Sequence, residues 1–323
     1  MKPVKRPPVQ TQFLVFTLFG DYILPREGTI WAADLLHLLE LLGVSERAAR
    51  SALSRMARKG WLIARRYGRQ SQYSLTARGW ALLEEGGRRI FEPPFTDGDG
   101  LWHVVVYSLP EKKRGQRHAL RQQLAWLGFG RLAPATWVSP HNRKPELESI
   151  FNELGVQQHV ELFSGMRVGP SPEQKLIEQC WDLPGLEAGY RQFIARYRAE
   201  YKQCQAQGNG NLNLSPADCF ARRFWLTHDF QPFPRKDPNL PNALLPPDWI
   251  GFAARQLFDN YRRLLGTHAN QFVDDVVAGE WRTCAGGASP QSAGAPTPRR
   301  PDAKPQTAYR PPLEANPKLT EGG

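Results

Sequence analysis

Apolar positions recur at helical spacing through the first third of the chain and then give way to short alternating runs. Phe13, Phe16, Leu18 and Phe19 predict a helix over 11–23. Leu35, Leu38, Leu39 and Leu42 predict a second over 30–42, opened by Gly28 and broken by Gly43. Ser45 is an N-cap for a third helix that ends near 59–60, with Ala49, Ala52, Leu53, Met56 and Ala57 along one face. A strand-like stretch at 61–67, a Gly68-Arg69-Gln70 turn and a strand-like 71–75 follow. Thr76 then caps a helix to about 91. Helix, helix-turn-helix, hairpin, helix is the order of a winged helix-turn-helix.

Beyond Pro93-Pro94 and the DGDG of 97–100, a linker by composition, the pattern changes. Residues 101–109 read as a buried strand, 111–127 as a basic helix, and 130–139 as extended, in one strand or two. A helix over 145–154 and a strand over 159–163 complete a pattern that suits a small ferredoxin-like sheet with helices on one face. From 172 strand signals stop, and helices are expected at 173–181, 186–202, 216–228 and 249–265, the last with a possible extension over 270–278. The prolines between 231 and 248 require an irregular crossing. The fold class is α+β and multidomain. Residues 1–10 are expected to be disordered, 11–92 to form the winged helix-turn-helix and 93–100 the linker. The ferredoxin-like domain takes 101–170 and a C-terminal helical effector and dimerisation domain 171–283. The Pro/Ala/Gly-rich tail, 284–323, is expected to be disordered.

Charge sharpens the picture at one place. The 323 residues carry a formal +11 with an isoelectric point near 9.7, a modest pointer to a polyanionic partner. Between 43 and 80, however, Arg47, Arg50, Arg55, Arg58, Lys59, Arg65, Arg66, Arg69 and Arg78 face Glu46 alone. On the third helix a narrow alanine-rich face packs inward, leaving the remainder to project into a DNA major groove. Ser45 heads that helix. Arg47, Arg50, Ser51 and Ser54 are the expected base readers, because arginine offers paired donors to guanine and serine reaches either base or backbone. Arg55, Arg58 and Lys59 are expected to hold phosphates, and Arg65, Arg66, Arg69 and Gln70 form a basic wing.

Catalytic motifs are missing: there is no P-loop, GxGxxG, GxSxG or HExxH. The seven histidines stand singly, and Cys180, Cys204, Cys219 and Cys284 have no CxxC spacing. Neither an enzyme, a metal site nor a cofactor is therefore expected. No apolar run reaches membrane-spanning length and the basic N-terminus lacks a signal-peptide core, so a cytoplasmic protein is expected.

The sequence also resembles the PaaX family, repressors of phenylacetic acid degradation operons. The resemblance rests on LFGDYI (18–23), GTIW (28–31), GVSERAARSALSRMARKGWL (43–62) and RRYGRQSQYSLTARG (65–79). It continues through LRQQLAWLGFGRLAPATWVSP (120–140), QCWDL (179–183) and KDPNLPNALLPPDWIGFAARQLF (236–258). It implies a homodimer on a pseudo-palindromic operator in double-stranded DNA, released by an acyl-CoA thioester, typically phenylacetyl-CoA, and a Cas2-like central domain. Against nuclease chemistry there, the strand 102–107 lacks an acidic residue at its end and is followed by Ser108. An acyl-CoA needs cations for phosphate and an apolar slot for its acyl group. Arg222 and Arg223 beside Phe224-Trp225, with Trp181 and Trp249, are candidates for both. The competing expectations are an enzyme targeted by a winged helix, a nuclease or a CoA-thioester-processing protein, and a constitutive DNA-binding protein indifferent to acyl-CoA.

Overall fold

A computed structural model describes residues 9–92, 98–207, 212–279 and Trp281. Expectations about 1–8, 93–97 and the tail from 282 fall outside the described residues. The chain divides into two compact units, one joining the segments up to Phe95 and from Asp182, the other beginning at Thr96 and running to Trp181.

In the first unit, α1 (Thr11–Leu18) runs into a π-helical turn, Phe19–Ile23, and a short 3-10 turn, Leu24–Arg26. There follow β1 (Thr29–Trp31), α2 (Ala32–Leu41), α3 (Glu46–Arg58), β2 (Leu62–Tyr67), β3 (Gln70–Leu75) and α4 (Ala77–Phe91). The expected helix over 30–42 is corrected at its start: Thr29–Trp31 are a strand, and helix begins only at Ala32. Gly28, at φ +66°, turns the chain so that Thr29 pairs with Ser74 and Trp31 with Gln72. The antiparallel sheet has the order β1-β3-β2. Gly28 also lies where a Cβ would meet the Trp80 ring at 2.8 Å, so position and conformation both require glycine.

Both expected caps are present. The Ser45 hydroxyl accepts from the Ala48 amide at 3.4 Å and that of Thr76 from Gly79 at 3.0 Å. Thr76 also donates to the Gly60 carbonyl at 2.7 Å, locking the exit of β3 to the turn that follows α3.

The same unit holds α8 (Leu183–Ala206), α9 (Pro216–Phe230), the single turn α10 (Phe233–Lys236) and α11 (Ile250–Ala278). The helix expected over 249–265 does extend through 270–278, as one 29-residue helix. Its length lets α11 pack on both α8 and α9. The proline-rich crossing is held down by buried Leu240 and Trp249.

The N-terminal helix joins this bundle directly. Tyr22 meets Phe220 with ring centroids 5.2 Å apart, and Asp21 is buried beneath it. Arg223 and Arg262 both donate to Asp21 Oδ1, and Thr227 Oγ1 donates to Oδ2 at 2.9 Å.

The second unit contains β4 (Trp102–Tyr107), α5 (Arg114–Trp126), β5 (Gly130–Ala133), β6 (Thr136–Ser139), α6 (Lys144–Leu154), β7 (Val160–Gly165) and α7 (Glu173–Cys180). The extended region 130–139 is two strands. Sheet order is β5-β6-β4-β7, antiparallel at every step. Val105, Tyr107 and Trp137 pack against Leu120 and Leu124 of α5 and Leu147, Ile150 and Phe151 of α6, which places both helices on one face. The opposite face receives α7, because a Cβ on Gly130 would meet Cys180 and Trp181 at 2.6 Å.

Candidate nucleic-acid interface

The interface is built on the division of α3. Ala49, Ala52, Leu53 and Met56 are buried, and α1 and α2 pack against that side. Arg47, Arg50, Ser51, Ser54, Arg55 and Arg58 are all exposed, as are Ser45 and Lys59 at its two ends. A helix with small buried side chains sits close to its supports and projects its other face into solvent. Phe16 meets Trp61 edge-on at 4.9 Å, fixing α1 to the start of the hairpin.

The exposed groups differ in how they are held. Arg50 Nε donates to Glu46 Oε1 at 2.7 Å, and Arg55 Nη1 to Ser51 Oγ at 2.6 Å. Each pair spans one turn, so two guanidinium groups are oriented along the helix surface. Arg47, Ser54 and Arg58 make no side-chain bond to another described residue. Lys59 Nζ lies 4.8 Å from the Trp61 ring centroid, and Arg78 donates to the Lys59 carbonyl at 3.3 Å.

At the hairpin, Tyr67 pairs with Gln70 across Gly68 and Arg69, with Gly68 at φ +58°. Arg65, Arg66, Arg69 and Gln70 are all exposed, and Arg66 donates to the Gly68 carbonyl at 3.1 Å. The structure thus brings all twelve expected contacts onto exposed positions of one helix and its adjoining hairpin. Chemically this is a surface of donors with a single carboxylate, Glu46, already engaged. It can bind an anion.

Each of the five residues expected to hold an effector has neighbours within its own unit. Arg222 lies 3.9 Å from Glu200, whereas the buried Arg223 turns inward to Asp21. Trp225 stands edge-on to Phe224 and His228, and Trp249 edge-on to Tyr190. Trp181 belongs to the second unit, where its indole donates to the Gly128 carbonyl at 3.2 Å.

Sequence reasoning missed three polar clusters, all formed by distant or opposed positions. One is the Asp21 network. The second stacks His37 of α2 on Trp281, whose indole donates to the buried Asp34 at 2.8 Å. The third joins His103 to Ser164 at 2.8 Å and to Asp99 at 3.1 Å, with His103 buried. It pins β4 to β7. Cross-strand register could not be read from spacing alone. Among the described residues no group of three or more His, Cys, Asp or Glu side chains is placed to hold a metal ion. No described helix is long and apolar enough to cross a membrane.

Known proteins share this organisation. Residues 10–79 match the model of the PaaX-like protein family, 96–177 that of the PaaX protein central Cas2-like domain, and 181–275 that of the PaaX-like protein C-terminal domain. The transcriptional repressor PaaX of Escherichia coli K12 is 32% identical over 271 residues, which are 83% of this chain and 84% of that one. An uncharacterised protein of Mycobacterium tuberculosis has a solved structure that superposes with a TM-score of 0.53 at 21% identity, over 82% of this chain and 99% of that one, and so shares the fold. Matched from residue 10 to residue 275 by three successive models of one family, this chain belongs to the PaaX family.

Proposed function

We propose that this protein is a transcriptional repressor that grips double-stranded DNA through a winged helix-turn-helix made of α2, α3 and the β2–β3 hairpin. The carrying observation is the cation-rich surface: every expected contact on α3 and the hairpin is exposed, and the nearby Glu46 carboxylate is spent on Arg50. In this reading α3 enters the major groove. Arg47, Ser54 and the Glu46-oriented Arg50 address base edges, while Arg55, Arg58 and Lys59 hold phosphates. Arg65, Arg66, Arg69 and Gln70 follow the adjacent backbone. The relative in Escherichia coli named a transcriptional repressor supports the assignment of repression.

The finer reading is a homodimer on a pseudo-palindromic operator of an aromatic-acid, phenylacetate-type, catabolic operon. The second unit is its ferredoxin-like, Cas2-like domain, for which the strand order β5-β6-β4-β7 is the support. An acyl-CoA thioester such as phenylacetyl-CoA is its releasing ligand, and the protein itself catalyses no reaction.

A gel-shift with DNA upstream of the protein's own and neighbouring genes tests this. Binding is expected to be tighter than to random duplex, to weaken with salt, and to be reversed by phenylacetyl-CoA. Equal affinity for random DNA overturns the repressor reading. Specific binding that no acyl-CoA reverses overturns the effector alone.

A further inference from the structure

We propose that the outer face of α5 is a second, sequence-independent contact for the phosphate backbone of duplex DNA. The inference rests on the DNA-binding reading above. Three observations support it.

The first is charge segregation. Residues 96–181 are close to neutral as a whole, yet Lys112, Lys113, Arg114, Arg117, Arg121 and Arg131 face only Glu111 between positions 111 and 131. The remainder of the unit is therefore acidic. A surface needed only for solubility intersperses its signs.

The second is placement. Leu120, Gln123 and Leu124 bury one side of α5, and Arg114, His118 and Arg121 are exposed on the other, one and two turns apart. Arg131 pairs with Trp137, whose side chain belongs to the core beneath α5, so Arg131 lies on the helix-bearing face at the β5 edge.

The third is availability. Glu111 occupies Arg117 at 2.6 Å and the Gly155 carbonyl takes Lys113 at 2.9 Å. Lys112, Arg121 and Arg131 make no hydrogen bond or ion pair with another described residue.

The geometry favours an extended polyanion. Arg114 and Arg121 are about 10 Å apart along the helix axis, at roughly 1.5 Å per residue. Two cations so spaced can each meet a phosphate of one extended backbone. Arginine and lysine heads on exposed stems contact such a backbone without reading bases.

The test uses the full-length protein with the paired substitution Arg114→Gln/Arg121→Gln. Both positions are exposed, so the fold should survive, and a thermal melt confirms it. Binding to a duplex of a few hundred base pairs from the upstream region, and to random duplex of the same length, is measured across a salt series. Each lost phosphate contact should lower the salt slope by about one, so the slope should fall by about two and affinity on both duplexes by on the order of tenfold. The control variant Lys144→Gln/Lys175→Gln removes equal charge from exposed positions elsewhere in the unit and should leave the slope unchanged. A slope unchanged in the α5 variant, or lowered equally in the control, overturns the proposal while leaving DNA binding by α3 intact. A variant that loses only its response to phenylacetyl-CoA also overturns it, by making the face an effector site. Wild-type protein that binds no duplex sinks both readings.

Discussion

Arg50 and Arg58 sit on the same exposed side of α3, yet their surroundings differ. Glu46 holds Arg50 in one orientation, and an oriented guanidinium can present paired donors to a base edge. Arg58, which has no side-chain partner among the described residues and lies near the end of the helix, suits a phosphate. Arg58→Ala should weaken binding to operator and random duplex alike and lower the salt slope by about one. Arg50→Ala should instead narrow the gap between operator and random DNA, by about 1–3 kcal/mol. Competition binding with both duplexes distinguishes the two, and identical behaviour would remove the division of labour.

Asp21 poses a different question at the same scale. Its carboxylate is buried against Arg223, Arg262 and Thr227. Asp21→Asn strands buried guanidinium charge and should cost about 3–5 kcal/mol in urea unfolding. Thr227→Val, which leaves the ion pairs in place, should cost about 1 kcal/mol.

At the level of elements, sequence patterning succeeded where the signal is local. The alanine-rich face of α3, its Ser45 cap and the Gly68 turn announce themselves within a few residues of chain, and all three are present. It failed where structure depends on a distant partner. Thr29–Trp31 are too short to show alternation and are a strand only because β3 lies beside them. Gly266 and Thr267 interrupt the apolar period of α11, which stays helical because Leu265 and Ala269 on either side are buried. The α2–Trp281 contact is equally silent in the sequence, since 247 positions separate Asp34 from its indole partner.

That contact has a pH consequence. Burial lowers the His37 pKa below the ordinary 6.5, with Glu40 opposing the shift. A histidine whose folded pKa is depressed favours the folded state while neutral, so its contribution is present above pH 6.5 and is lost as pH falls through the folded value. The melting temperature should therefore drop more steeply between pH 7.5 and 5.5 in the wild type than in His37→Gln. Parallel curves would show that the Trp281 stack is indifferent to protonation.

For the molecule as a whole, the unit carrying the proposed DNA-contacting surface is assembled from segments on either side of the central unit in the sequence. Leu14, Leu18, Phe19, Tyr22 and Ile23 are all buried, and Tyr22 is covered by Phe220 of α9. Arg26 reaches the Asn270 carbonyl and Asp274, and the Asp21 network closes the join. A fragment ending at residue 95 would expose this apolar stripe to water at about 25 cal/mol per Å², and would leave Asp21 without its cations. The central unit closes its own core between one sheet face and α5 and α6, and covers the other face with α7. Residues 96–181 expressed alone should consequently melt cooperatively, whereas 1–95 should give a broad transition and bind DNA weakly. Joining 1–95 to 182–281 through a flexible linker should restore both the sharp transition and the affinity. Circular dichroism melts and a gel-shift on the three proteins decide the matter. A cooperative melt and full affinity in 1–95 alone would mean that the C-terminal helices do not hold the reading head in place.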